Sequence, residues 1–305
     1  MKVSVIVPNY NHAPYLKERL DSILAQTEQD IEVIVLDDCS TDNSMEVLQP
    51  YEQHPKVRPV VRNATNTGSP FRQWLHGFEL AQGDYIWIAE SDDVAEPTFL
   101  EESLKRLEQH PQVQMTFTWS TFIDAEGKTM RKSPDRPSLY KGDGVYNGHS
   151  FALRRMLFRN VIYNASMVVF RKSALKNVSP DFQTFRSGGD WVFWFDIMTQ
   201  GDIAEIPLRL NHFRQHAGKV TVRADKDGQN MLENARCLRH ICSELQLTAL
   251  QRKSVKGRMT LRFRKKSFPG KQQLKEQFPE CYGGSFSDML FYELDKRLGI
   301  TGLLR

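Results

Sequence analysis

Glu90-Ser91-Asp92-Asp93 follows directly on the strand-like run Asp84-Tyr85-Ile86-Trp87-Ile88-Ala89. Carboxylates crowded behind a buried strand repel one another, and a bound cation is the simplest reason to keep them together. A hard divalent ion such as Mg²⁺ or Mn²⁺ takes oxygen ligands, commonly one or two carboxylates completed by substrate phosphates. Asp93 is the leading ligand on this reading. Asp92 either joins through water or bonds the ribose of a donor. A helix cap ahead of Pro97 would need one acid, and Glu90, Asp92 and Asp93 supply three. The chemistry indicated is metal-assisted transfer of a group from a phosphorylated donor.

Four further stretches could serve the same chemistry. Asp37-Asp38 closes a second apolar run. Asp38 could accept the ring N–H of a pyrimidine while Asp37 holds backbone amides, although Ser40, Asp42 and Asn43 would also explain the pair as plain turn chemistry. Pro8-Asn9-Tyr10-Asn11 closes the first run, with Pro8 ending the strand and Tyr10 free to stack on a base. Arg72, just after Asn66-Thr67-Gly68, could reach base or phosphate. In Gly188-Gly189-Asp190-Trp191, Asp190 is either a helix cap or a general base whose basicity the aromatic run behind it would raise by desolvation. Alternation over Asn211-His212-Phe213-Arg214-Gln215-His216 puts His212, Arg214 and His216 on one side. His216 would complete a metal shell or neutralise a leaving diphosphate.

These residues need a scaffold that brings them to one edge. Val3–Val7, Ile31–Leu36, Val57–Val61, Tyr85–Ala89 and Val113–Trp119 read as short buried strands, alternating with helical spacing over 15–25, 71–81 and 97–109. That rhythm predicts an α/β fold, a mostly parallel sheet with helices on both faces, whose carboxyl edge binds ligands. Lys128–Gly148 is a long polar stretch suited to covering or selecting an acceptor. No G-x-G-x-x-G or P-loop pattern is present, which argues against a dinucleotide-binding domain or a P-loop nucleotidase.

At 305 residues, 40% hydrophobic and 26% charged, the chain suits a soluble globular protein. Its four cysteines are too sparse for a disulfide framework, so a reducing cytoplasm is expected. The first residues read as a strand, not a signal peptide, and nothing resembles a membrane span. The net charge of +4 is modest, yet Gln251–Lys275 holds ten Lys or Arg residues and no acid. That stretch would suit the anionic inner face of a membrane or a solvated helix face, and no recognition module accompanies it for nucleic acid. Apolar residues between Pro269 and Arg305 would dock on the main domain or form a homodimer.

Together the motifs resemble the family 2 inverting glycosyltransferases of the GT-A fold, of the bacterial surface-polysaccharide type. Val3-Ser4-Val5-Ile6-Val7-Pro8-Asn9-Tyr10-Asn11 resembles that family's first strand and loop, and Asp37-Asp38-Cys39-Ser40-Thr41-Asp42 its nucleotide-binding turn. Asn66-Thr67-Gly68 with Arg72, and Phe213-Arg214-Gln215-His216, resemble its base-contacting and diphosphate-closing segments. Glu90-Ser91-Asp92-Asp93 is similar to its Asp-x-Asp-Asp region, with Glu90 for the usual first aspartate. Asp190 stands at the family's catalytic base, with Gly189 in place of the usual preceding glutamate.

The resemblance covers about Lys2–Val222. It implies a catalytic domain over 1–222, divided into a nucleotide-binding half (1–122) and an acceptor-binding half (123–222). A mainly helical extension over 223–305 follows. It also implies a UDP- or dTDP-sugar donor, Mn²⁺ or Mg²⁺, a saccharide or lipid-linked acceptor, and Asp190 as base. A nucleotidyltransferase is the rival enzyme, but it would carry a glycine- and lysine-rich first loop. A catalytically inactive nucleotide-sugar-binding protein is the rival that the changes at Glu90 and Gly189 permit.

Overall fold

The computed structural model describes residues 2–130, 144–216 and 228–303. Most of the polar stretch Lys128–Gly148, and the end of the resemblance beyond His216, lie outside the described residues. Contacts group the chain into two compact units. The first comprises Met1–Asn147, Ile162–Val178 and Gln200–His216; the second comprises Gly148–Val161, Ser179–Thr199 and Ala217–Arg305.

The first unit is built on a sheet in the order β3-β2-β1-β4-β8-β6-β9-β5, with β7 added on β9. Strands β1 (Val3–Asn9) and β2 (Ile31–Asp37) are buried along their whole length. Burial on both faces is why they read as mostly apolar runs rather than alternating ones, with Ser4 and Glu32 buried against each other at 2.6 Å. β1 pairs in parallel with β2 and with β4 (Tyr85–Ile88), and β2 with the short β3 (Val61–Arg62). Strand order therefore reverses at β1, the kind of point where open α/β sheets bind ligands beyond their carboxyl ends.

Helices α1 (Ala13–Leu24), α3 (Pro70–Leu80) and α4 (Phe99–Gln109) follow strands, and a short α2 (Ser44–Leu48) lies after β2. Inward residues recur at helical spacing: Leu16, Arg19, Leu20 and Ile23 on α1, and Phe99, Leu100, Ser103, Leu104 and Leu107 on α4. Gly77 is what lets α3 approach β1, because a Cβ there would lie 2.4 Å from Ile6 Cγ2.

Beyond β4 the sheet becomes mixed. β8 (Val168–Arg171) is antiparallel to β4 and to β6 (Val113–Ile123), while β9 (Asp202–Arg214) is parallel to β6. β5 (Val94–Ala95) and β7 (Val145–Asn147) run antiparallel to β9. The expected parallel character thus holds among β1–β4 and gives way beyond them. β9 runs over 13 residues. Pro207 interrupts its ladder, but the pairing skips from Thr118↔Ile206 to Trp119↔Arg209 and resumes, a bulge that accommodates a proline.

The second unit is helical among its described residues. Gly189–Met198 is a helix buried nearly all round, with Trp191, Phe193, Trp194 and Phe195 enclosed. Gln229–Glu244, Ala249–Arg264, Lys271–Gln277 and Phe286–Leu298 carry the extension, so the basic run Gln251–Lys275 lies mainly on two helices. No described helix is long and apolar enough to cross a membrane.

Candidate active site

The carboxyl ends of β1, β2 and β4 carry polar side chains that lock one another's loops. Asn9, at the end of β1, donates through Nδ2 to Asp37 Oδ1 at 2.8 Å and to Ser40 Oγ at 3.1 Å. Asp37 in turn accepts the Ser40 amide. Asp38 accepts from Asn63 Nδ2, the Thr67 amide and hydroxyl, and Gln73 Nε2, all at 2.8–3.1 Å, and so holds the segment ahead of and into α3. Asn11 (φ 56°) and Cys39 (φ 61°) adopt left-handed backbone in these two loops. Such conformations persist where surrounding contacts over-determine them; Asn11 Oδ1 accepting the Thr41 amide at 2.7 Å is one such contact. Pro8 is buried within β1, whereas Tyr10 is 45% exposed and Arg72 projects into solvent from the first turn of α3.

The acids behind β4 divide into distinct environments. Glu90 accepts the Trp74 indole N–H at 3.1 Å. Burial, followed by the charges of Asp92 and Asp93, pushes its carboxyl up to about 8. Asp93 has no exposed surface. Its Oδ2 accepts from Asn164 Nδ2 (2.8 Å) and Ser166 Oγ (2.7 Å), and its Oδ1 from the Arg214 amide (3.0 Å). Asp92 instead lies with two imidazoles. Ligand atoms of His12, Asp92 and His216 all fall within 4.8 Å of one another. His216 Nε2 is 3.0 Å from Asp92 Oδ2, and His12 Nδ1 is held by Ser91 Oγ at 2.8 Å.

Asp92 and His216, both expected as ligands, share a cluster whose third member is His12, and the Asp93 carboxylate, the expected leading ligand, accepts protein hydrogen bonds. Two imidazoles and a carboxylate fit a divalent metal, and imidazole donors favour a transition ion over Mg²⁺. The Ser91–His12 bond is the kind of outer contact that orients a ligating ring. His12 ends the first loop, immediately ahead of α1, so the signal for it was its place directly after Pro8-Asn9-Tyr10-Asn11.

Two arginines frame this cluster. Arg19 is fully buried, its guanidinium 4.7 Å from the centre of the Trp87 ring. Burial lowers it to about 10 against the opposing pull of Asp93, Asp92 and Glu90. It is a buried positive charge under an acidic cluster, and its mark in the sequence was a cation in the inward stripe of α1. Arg214, placed by alternation on one side with His212 and His216, is buried. Its Nε donates to the Asp92 carbonyl at 2.7 Å, and its guanidinium also reaches the carbonyls of Asp124 and Ala125 and the Glu18 carboxylate. It ties the end of β9 to the acidic loop. His212 pairs with Glu96 at 2.7 Å, and neither belongs to the metal cluster.

In the second unit Asp190 occupies the first turn of its helix, half-buried. Burial drives its carboxyl up to about 7, with hydrogen bonds from the Trp191 amide and Asn160 opposing. The Asn160 bond, Nδ2 to Oδ2, is 2.8 Å. Trp191 is fixed in turn by its indole N–H on the Met156 carbonyl at 2.8 Å. A carboxyl poised near neutrality is suited to taking a proton.

Comparison with known proteins bears on family and fold. The chain is 29% identical over 194 residues to an uncharacterised glycosyltransferase of Methanocaldococcus jannaschii, a match covering 63% of each chain. The chain thus spans less than two thirds of that relative's length. Its fold is similar to that of S. aureus TarS in complex with UDP-GlcNAc, with a TM-score of 0.68 at 20% identity over 96% of this chain and 82% of TarS. It is also similar to mannosyltransferase PcManGT of Pyrobaculum calidifontis in complex with GDP-Man and Mn²⁺, with a TM-score of 0.52 at 18% identity over 98% and 80%. Residues 4–179 match the family described as Glycosyl transferase family 2, more than half of the chain, and the chain belongs to that family.

Proposed function

We propose that the protein is an inverting hexosyltransferase that moves a sugar from a UDP- or dTDP-sugar to a hydroxyl of a saccharide or lipid-linked acceptor. The observation that carries this reading is the His12–Asp92–His216 cluster at the carboxyl edge of the parallel strands, beside the loops that Asp37 and Asp38 hold. A divalent ion bound there, Mn²⁺ in preference to Mg²⁺, would supply positive charge to the departing diphosphate. Asp38 and the loop it organises, with Tyr10 and Arg72 at the rim, would receive the nucleoside. Asp93 serves as an anchor for the acidic loop and is not a ligand.

Asp190 is the general base. The acceptor hydroxyl gives its proton to an Asp190 carboxylate oxygen, and the hydroxyl's electron pair forms the new bond to the anomeric carbon. The bond to the diphosphate oxygen breaks with its pair leaving on the nucleotide. Attack opposite the leaving group inverts the centre in one displacement.

Exposed Arg252, Arg262 and Arg264 on one helix, and exposed Phe286, Leu290, Leu294 and Leu298 on another, suit contact with an anionic membrane surface. That would serve a lipid-linked acceptor. A panel of UDP-glucose, UDP-GlcNAc, dTDP-rhamnose and GDP-mannose, assayed for nucleoside diphosphate release with and without Mn²⁺, tests the donor reading. Metal-dependent release from a pyrimidine donor is expected. Release from none of them refutes the transferase.

A further inference from the structure

We propose that Glu233, on the helix Gln229–Glu244, is the positioning residue for Asp190, taking the place of the glutamate that the family pattern has at position 189. The proposal rests on the reading of Asp190 as base. Glu233 is 2% exposed, and its carboxylate is directed at the loop that leads into the base. Oε1 accepts the Arg186 amide at 2.7 Å. Oε2 accepts the Ser187 amide at 3.0 Å, the Ser187 hydroxyl at 2.7 Å and the Gly188 amide at 2.8 Å. Gln229 Nε2, one turn earlier on the same helix, donates to Oε1 at 3.0 Å and steadies the carboxylate.

Three consecutive backbone amides converging on one buried carboxylate form an anion nest, and amides this close to their acceptor leave the loop little freedom. The grip continues to the residue two before Asp190. Cys237, one turn further along the helix, donates its thiol to the Gly188 carbonyl at 3.4 Å, so Gly188 is held through both its backbone groups. A Cβ at Gly188 would sit 3.4 Å from both Glu233 Cβ and Oε2, so loop and carboxylate lie in van der Waals contact. Gly189 has no side chain with which to do this work. Asn160 then holds the Asp190 carboxylate itself. Loop and carboxylate are thus fixed by separate partners.

Burial opposes ionisation of Glu233, but the bonds from Gln229, Ser187 and Arg186 bring it below its ordinary value. It therefore stays negative across neutral pH, and its charge adds to the forces that raise Asp190.

The test uses the full chain and the nucleotide sugar that the donor panel shows to be turned over, with kcat and donor KM measured from pH 5 to 9. Glu233→Gln is expected to lower kcat by about a hundredfold, the scale of a loss when a catalytic group is misplaced by about an ångström. Donor KM should stay within about twofold, and the acid limb of the kcat profile should move to lower pH as the neighbouring charge disappears. Glu233→Asp, which keeps the charge but is too short to reach all three amides, should lose kcat with its acid limb unmoved. Should Glu233→Gln prove too unstable to assay, Ser187→Ala removes the hydroxyl bond to Oε2 from the loop side and should lower kcat in the same direction.

Wild-type kcat per folded molecule with an unmoved limb in Glu233→Gln would overturn the proposal, leaving Asp190 as base if Asp190→Asn is inactive. An Asp190→Asn variant as active as wild type, or a donor panel with no turnover, would remove the base reading and this proposal together.

Discussion

Asp93→Asn separates an anchoring carboxylate from a metal ligand. The wild-type side chain accepts three hydrogen bonds with no solvent contact, from Asn164 Nδ2, Ser166 Oγ and the Arg214 amide. In the variant the amide oxygen can keep the Arg214 amide. The new NH₂ then faces Asn164 Nδ2, donor against donor, and the Ser166 hydroxyl must rotate to accept. Two charge-assisted bonds are lost or weakened, at about 1.5–3 kcal/mol each, which gives roughly 3–6 kcal/mol. Buried Arg19 loses part of its counter-charge as well, so the upper half of that range is expected. Against a usual total of about 5–15 kcal/mol this is a large loss. Urea denaturation followed by tryptophan fluorescence should show a lower midpoint with an unchanged slope. Mn²⁺ affinity of the folded protein should stay within a few-fold. A variant within about 1 kcal/mol of wild type that no longer binds Mn²⁺ would return Asp93 to the ligand set and refute the assignment of His12.

Other perturbations address the remaining parts of the site. Ser91→Ala removes one contact that orients the His12 ring and should weaken Mn²⁺ binding by at least about tenfold, the scale for contacts that orient ligands; electron paramagnetic resonance of free Mn²⁺ reads this directly, and unaltered affinity would remove His12 as a ligand. Activity should rise with pH through about 7, because the Asp190 carboxyl is pushed up to about 7 and the base must be unprotonated to act. Asn160→Ala removes a bond that favours the charged form and should move that limb to higher pH, whereas a shift to lower pH would contradict the role given to Asn160. Sedimentation with phosphatidylglycerol vesicles, but not phosphatidylcholine vesicles, is expected, and substituting serine for Phe286, Leu290 and Leu298 should abolish it.

How much of this could be read from the chain depends on the range over which each contact acts. Strands β1, β2 and β4 announce themselves because a strand buried on both faces is mostly apolar, and the polar residues at and beyond their ends then stand out. The carboxyl edge of the parallel strands was legible for that reason. The antiparallel second half was not, because nothing local to Val168–Arg171 states which neighbours it will pair with. Pro207 made Ile203–Ile206 look like a complete short strand, and only the bulge opposite Trp119 shows the ladder continuing. Asp93 presented the same difficulty. Its partners Asn164, Ser166 and Arg214 lie 71, 73 and 121 residues away, so its spacing from Asp92 could not tell anchor from ligand. Arg19 and Glu233 each had a visible mark, a charge in the inward stripe of a helix, whose meaning needed the partner to be in view.

The most direct measurement is calorimetric titration of UDP into the wild-type protein and into Asp92→Ala, each with and without Mn²⁺. Mn²⁺ should tighten UDP binding to the wild-type protein by at least about tenfold, or about 1.4 kcal/mol, and leave Asp92→Ala unchanged. UDP affinity that is the same with and without the ion, or equally metal-dependent after loss of Asp92, would contradict a cation held by His12, Asp92 and His216.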